Sequence, residues 1–245
     1  PNAEDGETEL PEHVTAVDAE EMWKPPLILM CVRMTQMREM ARELGDHVTA
    51  RQAIVHTTRN FEYATEQAGS DILAEETPTQ RFGFLTGPFR NEDVLAGRAS
   101  SMVCASAFPE VLDLFDDAFD SARCRVYRTD DLVGAEVSAA YGRVIAMLYG
   151  CAREMDLGVS LEATLFARGL AEIGRFAVYR GGHERTAFGL SGCGNLRADT
   201  AEEGSVDHQI GRAFVASDDR DPDRFRTEYG RSANGLFDLI ETLAP

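Results

Sequence analysis

The sequence predicts an α/β half followed by an all-α half, and two observations carry that reading. Up to Thr129, short apolar runs bounded by Gly, Pro or Thr alternate with amphipathic stretches, the pattern of strands joined by crossover helices. Beyond Thr129, two segments of more than twenty residues keep apolar side chains at helical spacing without an internal turn signal. At 245 residues, 44% of them hydrophobic, the chain can build one large core or two modest ones.

Residues 1–21 carry eight acidic side chains and no Lys or Arg, which reads as a solvated lead-in with order beginning near Leu10. "PPLILMCV", Pro25 to Val32, is a continuous apolar run that suits a strand covered on both faces of a parallel sheet. "TQMREMARELG" follows as a helix, with Met37, Met40, Ala41 and Leu44 on one stripe. "QAIVHTT", "RFGFLTG" and "ASSMVCAS" add strands, "PEVLDLFDDAF" a helix and "CRVYRT" a short edge-like strand.

"TDDLVGAEVSAAYGRVIAMLYGCAREM" then opens with a Thr/Asp cap and reads as one helix of more than six turns. "SLEATLFARGLAEIGRFAVYRGG" is a second, with Leu161, Leu165, Leu170, Ile173 and Ala177 as its stripe and Gly181-Gly182 as its stop. "DHQIGRAFVAS" and "NGLFDLIETLAP" are helical, separated by the acidic "SDDRDPDRF". The expected organisation is an acidic lead-in over 1–21, an α/β domain over 22–130 and a helical domain over 131–245.

A net charge of −18 argues against nucleic acid and anionic membranes, because both need a basic face. Lys24 is the single lysine, so 23 of the 24 basic residues are arginine and a titratable amine has one source. Five cysteines with no C-x-x-C pair suggest neither a disulfide framework nor a zinc site, and a reducing intracellular compartment, cytoplasm or organelle matrix, is the expectation. No apolar run approaches the roughly 18–20 residues of a membrane span. The histidines at 13, 47, 56, 183 and 208 show no ligand spacing, and no metal is expected. Ser191 fails the nucleophile-elbow pattern because Cys193 stands at its last glycine.

Read in order, "LILMCV", "IVHTTRNFE", "FLTGPFRNEDV", "RVYRTDDLVGAE", "LFARGLAEIGRFAVYRGG", "FGLSGCGNL" and "IGRAF" resemble the NAD-dependent glycerol-3-phosphate dehydrogenase family from about Leu10 to Ala216. The resemblance implies a Rossmann-like dinucleotide-binding domain, a helical domain like that of 6-phosphogluconate dehydrogenase, and substrate held between them. The chain contains no G-x-G-x-x-G turn to receive a pyrophosphate. The resemblance begins after the point where the family's first βαβ unit stands, and only 29 residues follow Ala216, so the Rossmann-like domain is expected to be incomplete.

The chemistry departs from the family at the same time. The resemblance places Gly142 at the lysine that takes the hydroxyl proton and Arg143 at the neighbouring asparagine. Arginine stays protonated and cannot serve as base. The second family lysine falls at Arg59, with Asn60 at the following glycine; the acid of the glycine-rich turn falls at Asn195 and a threonine at Asp199. The Arg-Asn pair that grips phosphate falls at Val206 and Asp207, replacing a cation with an apolar group and a carboxylate. Arg168, Glu136, Gly87 and Pro88 are kept and read as architectural, while Arg168, Arg175 and Arg180 are expected to face solvent or pair with Glu162 and Glu172.

These residues point to a catalytically inactive homologue acting as a structural, accessory or interaction subunit, within a larger complex or as a homo-oligomer, with no cofactor. The alternatives are an active NAD-dependent dehydrogenase of glycerol 3-phosphate and dihydroxyacetone phosphate, or a related oxidoreductase, with NAD as cofactor, and a small-molecule sensor using the cleft between the halves.

Overall fold

A computed structural model describes residues 14–15, 17–201 and 204–243. Most of the acidic lead-in, and with it the expected onset of order near Leu10, lies outside the described residues. Helix α1 (Ala19–Met22) starts inside the stretch read as lead-in and crosses its expected end at residue 21, and Trp23 behind it is buried, its ring stacked 5.5 Å from that of His47.

Strands β1 (Leu27–Met30), β2 (Ala53–His56), β3 (Phe82–Thr86), β4 (Ser100–Ala105) and β5 (Cys124–Thr129) form one sheet in sequence order. The pairs β1–β2, β2–β3 and β4–β5 are parallel, whereas β3–β4 is antiparallel with Leu85 opposite Cys104. The sheet is therefore mixed rather than parallel. Its reversal lies where β3 and β4 are joined by a segment whose helix, α4 (Asn91–Leu95), has only five residues and returns the chain instead of crossing the sheet. As an edge strand β1 buries Ile28 and Met30 but leaves Leu27 and Leu29 half-buried, so it is not covered on both faces as its apolar run suggested.

Helices α2 (Met34–His47) and α3 (Gly69–Glu76) pack together on one face, as the general right-handed rule for parallel crossovers requires. Because β4 and β5 run the other way while stepping in the same direction, the same handedness puts α5 (Pro109–Phe119) on the opposite face. Alternation along β2 serves both layers: Ile54 packs with Met37, Leu44 and Ile72, and Val55 with Val111 and Phe115. Each such side chain, fully buried, stabilises the fold by about 1.5–3 kcal/mol.

Helix α6 (Leu132–Glu154) begins at Asp131, whose carboxylate accepts from Gly134 N at 3.0 Å, His183 N at 2.9 Å and Thr186 Oγ1 at 2.5 Å. That one side chain both caps α6 and anchors α8 (Glu184–Ala187). Contrary to the sequence reading, α6 is long and apolar enough to cross a membrane, but 61% of that stretch is buried within the protein. Its first turns lie over Phe84 and Ala105 of the sheet, and the rest packs against α7 (Gly158–Tyr179) and α10 (Val206–Ala216). Along α7 only Leu170, Ile173 and Ala177 of the expected stripe are buried; Leu161 is exposed and Leu165 half-buried.

The stretch "FGLSGCGNL" is a π-helical turn, Leu190–Gly194, running into α9 (Asn195–Asp199). A Cβ at Gly192 would stand 2.1 Å from the carbonyl oxygen of Ala187, so this glycine admits the chain's own backbone rather than a ligand. The last described helices are α11 (Pro222–Glu228), which begins inside the acidic stretch read as a separator, and α12 (Gly230–Leu243).

Candidate active site

The C-terminal ends of β1 and β2 open toward the middle of α6 and toward α9, α10 and α12. There the two halves enclose a cleft of about 560 Å³ whose lining includes Arg33, Thr58, Arg59, Asn60, Arg143 and Asn234. A cleft outside the carboxyl ends of parallel strands is where α/β folds place ligands.

Arg59 leaves β2 three residues beyond His56 and reaches the helical half. Its Nη2 lies 2.5 Å from Asp199 Oδ2, and its Nε donates to the Ala139 carbonyl at 3.3 Å. Burial works to lower the Arg59 pKa, but the charge and hydrogen bond of Asp199, with the charge of Asp207, outweigh it and raise it above its ordinary value. Arg143, on α6, forms a bidentate pair with Asp207, Nε to Oδ2 and Nη2 to Oδ1 both at 2.9 Å, and donates to the Ser232 carbonyl at 3.2 Å. Four charges expected at separate points along the sequence thus meet as two Arg–Asp pairs across one junction. Asn60 adds a further tie, Nδ2 donating to the Gly235 carbonyl at 2.9 Å.

Asn195 is buried and donates from Nδ2 to Thr86 Oγ1 at 2.8 Å, which holds α9 against the end of β3. Gly142 is buried on α6, yet a Cβ built there meets no atom within 4 Å, so the position faces open space. Val206 is exposed and Asp207 is taken up by Arg143, so neither of these two residues presents a cation. Lys24 pairs with Glu21 at 3.7 Å, is 70% exposed, and precedes β1 at the end of the sheet opposite the cleft.

Glu136 does more than the sequence showed. Its carboxylate accepts from Ser70 N at 3.0 Å and Ser70 Oγ at 2.7 Å, and Oε1 lies 3.0 Å from His56 Nε2, off the line of a hydrogen bond. Thr58 N donates to His56 Nδ1, which places the imidazole proton on Nε2, the side of Glu136. A histidine interrupting the apolar run "AIVH" was the one signal of this buried polar link. Arg180 does not pair as expected: it meets Asp71 at 3.7 Å and lies over the Phe61 ring, while Glu162 is held by Arg153. Arg175 does approach Glu172, at 3.9 Å. Among the described residues no group of His, Cys, Asp or Glu could hold a metal ion.

The family suggested by the sequence implies NAD. The loop from β1 into α2 reads Cys31-Val32-Arg33, without glycine, and no other strand-to-helix turn among the described residues supplies a glycine-rich seat for a pyrophosphate. The described residues therefore do not by themselves fit a dinucleotide.

Comparison with known proteins agrees with this architecture. Residues 5–111 match the family model for the N-terminus of NAD-dependent glycerol-3-phosphate dehydrogenase, and residues 131–241 match that for its C-terminus. Glycerol-3-phosphate dehydrogenase [NAD(P)+] of Acinetobacter baumannii is 31% identical over 215 residues, covering 88% of this chain and 59% of the relative. That of Acinetobacter baylyi is 32% identical over the same shares. The chain thus spans about three-fifths of the length of the curated relatives it matches. Crystallographic glycerol-3-phosphate dehydrogenase from Coxiella burnetii superposes with a TM-score of 0.84 at 22% identity, covering 92% of this chain and 69% of that one. The enzyme from Saccharomyces cerevisiae gives 0.79 at 21% identity over the same shares, and both likenesses speak to the fold. With a Rossmann-like sheet, a helical half and both family models matched in order, the chain belongs to the NAD-dependent glycerol-3-phosphate dehydrogenase family.

Proposed function

We propose that this chain keeps the family scaffold without lysine-assisted alcohol oxidation and acts as a structural or interaction subunit. The observation that carries the reading is the mutual pairing of Arg59 with Asp199 and Arg143 with Asp207 at the family's lysine and substrate positions. Charges that satisfy one another hold a junction together; neither Arg59 nor Arg143 is left as an unpaired cation for phosphate, and none of the four residues supplies an amine for a proton. Partner binding is supported by exposed Leu148 on the last turns of α6 with Met155, Leu157 and Val159 around the α6–α7 turn, and a reducing compartment by five unpaired cysteines.

Purified protein mixed with NADH and dihydroxyacetone phosphate is expected to oxidise no NADH above the blank, and in size-exclusion of a native extract the chain is expected to run with a larger assembly. NADH oxidation that depends on Arg143 or Asn195 would overturn the reading. A second reading, a working NAD-dependent glycerol-3-phosphate dehydrogenase or related oxidoreductase, is favoured by the match to both family models and by the cleft of about 560 Å³ that stays open beside the ion pairs. The same assay decides between them.

A further inference from the structure

The helical half holds a second concavity of about 560 Å³ that shares no lining residue with the cleft between the halves. Three helices build it: Tyr149 and Arg153 from α6, Glu162 and Phe166 from α7, and Arg197 and Thr200 at α9 and its C-terminal end. It exists because the first turns of α7 do not bury their stripe, which leaves Val159 79% exposed at the rim.

Its charges are arranged unequally. The Glu162 carboxylate accepts from Tyr149 Oη at 3.0 Å and from Arg153 Nε at 3.1 Å. Burial works against its charge, yet those two partners hold its pKa below the ordinary carboxylate value, so it stays ionised and balances one cation. Arg197 has no carboxylate within ion-pair distance among the described residues, in a chain with 42 acidic against 24 basic residues. Among the described residues the Arg197 guanidinium therefore lines the groove with no carboxylate against it, beside the Glu162–Arg153 pair. Against the Tyr149 ring, centroids 6.3 Å apart, stands the His208 imidazole, 1% exposed, with Nε2 lacking a hydrogen-bond partner. His208 stands behind the Tyr149 ring rather than in the groove lining, so the unmet polar capacity of its Nε2 lies one side chain away from the groove.

We propose that this groove binds a small organic anion, a carboxylate or phosphate monoester on an apolar carbon skeleton. Arg197 takes the anionic end in a forked contact, and Phe166 and Val159 receive the carbon end. The site is independent of whether the cleft between the halves turns over substrate.

Phenyl phosphate titrated into isotope-labelled full chain is expected to give saturable amide shifts around Arg153, Ala163 and Arg197, with inorganic phosphate binding more weakly and phenylacetate reporting the carboxylate source. Arg197→Ala, an exposed position, is expected to weaken phenyl phosphate by about tenfold, the scale of one charged hydrogen bond, while Arg197→Lys keeps part of the affinity. Circular dichroism checks that both variants fold. No saturable shift, equal affinity in Arg197→Ala, or shifts centred on Thr58 and Asn60 would each overturn the proposal.

Discussion

Arg59 Nη2 sits 2.5 Å from Asp199 Oδ2, joining the loop after β2 to the helix that ends the glycine-rich segment. The family resemblance puts a lysine and a threonine at these two positions, so both partners changed, and they changed to complementary charges. The same holds for Arg143 and Asp207, where the family has asparagine at each. A carboxylate alone at position 207 would repel phosphate and stand buried without a partner; with Arg143 it is satisfied.

Because Asp199 is 12% and Arg59 29% exposed at the side chain, either truncation leaves a largely buried charge unpaired. Asp199→Ala and Arg59→Ala are each expected to cost about 2 kcal/mol, and the double variant about 1 kcal/mol or more less than their sum. Urea unfolding of the four proteins in the cycle measures this; strict additivity would mean that the pair does not hold the junction.

How much of this was legible follows residue type. The buried strands announced themselves through runs such as "AIV" and "FGFL", and α6 through its cap at Asp131, because local pattern and local capping suffice for them. The reversed pairing of β3 with β4 was not legible, since a short connecting segment does not state which way the next strand will run. The sequence displayed Arg59, Arg143, Asp199 and Asp207 as replacements, but their pairing spans separations of 140 and 64 residues and is a property of the fold. The same distance hid the Glu136–Ser70 bonds.

Two glycines on α6 are expected to respond in opposite ways. At Gly142 a methyl meets nothing, so Gly142→Ala in mid-helix should stabilise by about 0.5–1 kcal/mol through backbone entropy. At Gly150 a Cβ would lie 2.0 Å from the His208 carbonyl oxygen, where α6 and α10 cross, and Gly150→Ala should cost about 3 kcal/mol. Thermal melting of both variants gives the comparison, and equal shifts would contradict the crossing geometry.

Asn195→Asp restores the family's acid and tests whether the site still wants one. The residue is 5% exposed and, among the described residues, its side-chain amide bonds the Thr86 hydroxyl, which can turn to donate but carries no charge. The buried carboxylate is expected to cost about 2 kcal/mol at neutral pH, and less as pH falls and it is protonated. Urea midpoints at two pH values measure it; a variant as stable as the parent would imply an unseen cation nearby.

His208 sets a pH dependence of its own. Burial, then the charges of Arg153 and Arg212, push its pKa below the ordinary 6.5, while Glu162 pulls the other way. The unfolded chain therefore binds a proton near pH 6.5 that the folded chain still refuses, and stability present above that pH falls as pH drops through 6.5 toward the lower folded value. Glu62, Glu76 and Glu162, held below 4.5 in the folded state, lose their contributions only in a more acidic window. Between pH 7.5 and 5.5 the melting temperature is expected to fall, and His208→Gln, which cannot take up that proton, should flatten the fall in that window while leaving the acid limb below it unchanged. An identical slope in the variant would show that His208 titrates alike in the folded and unfolded chain.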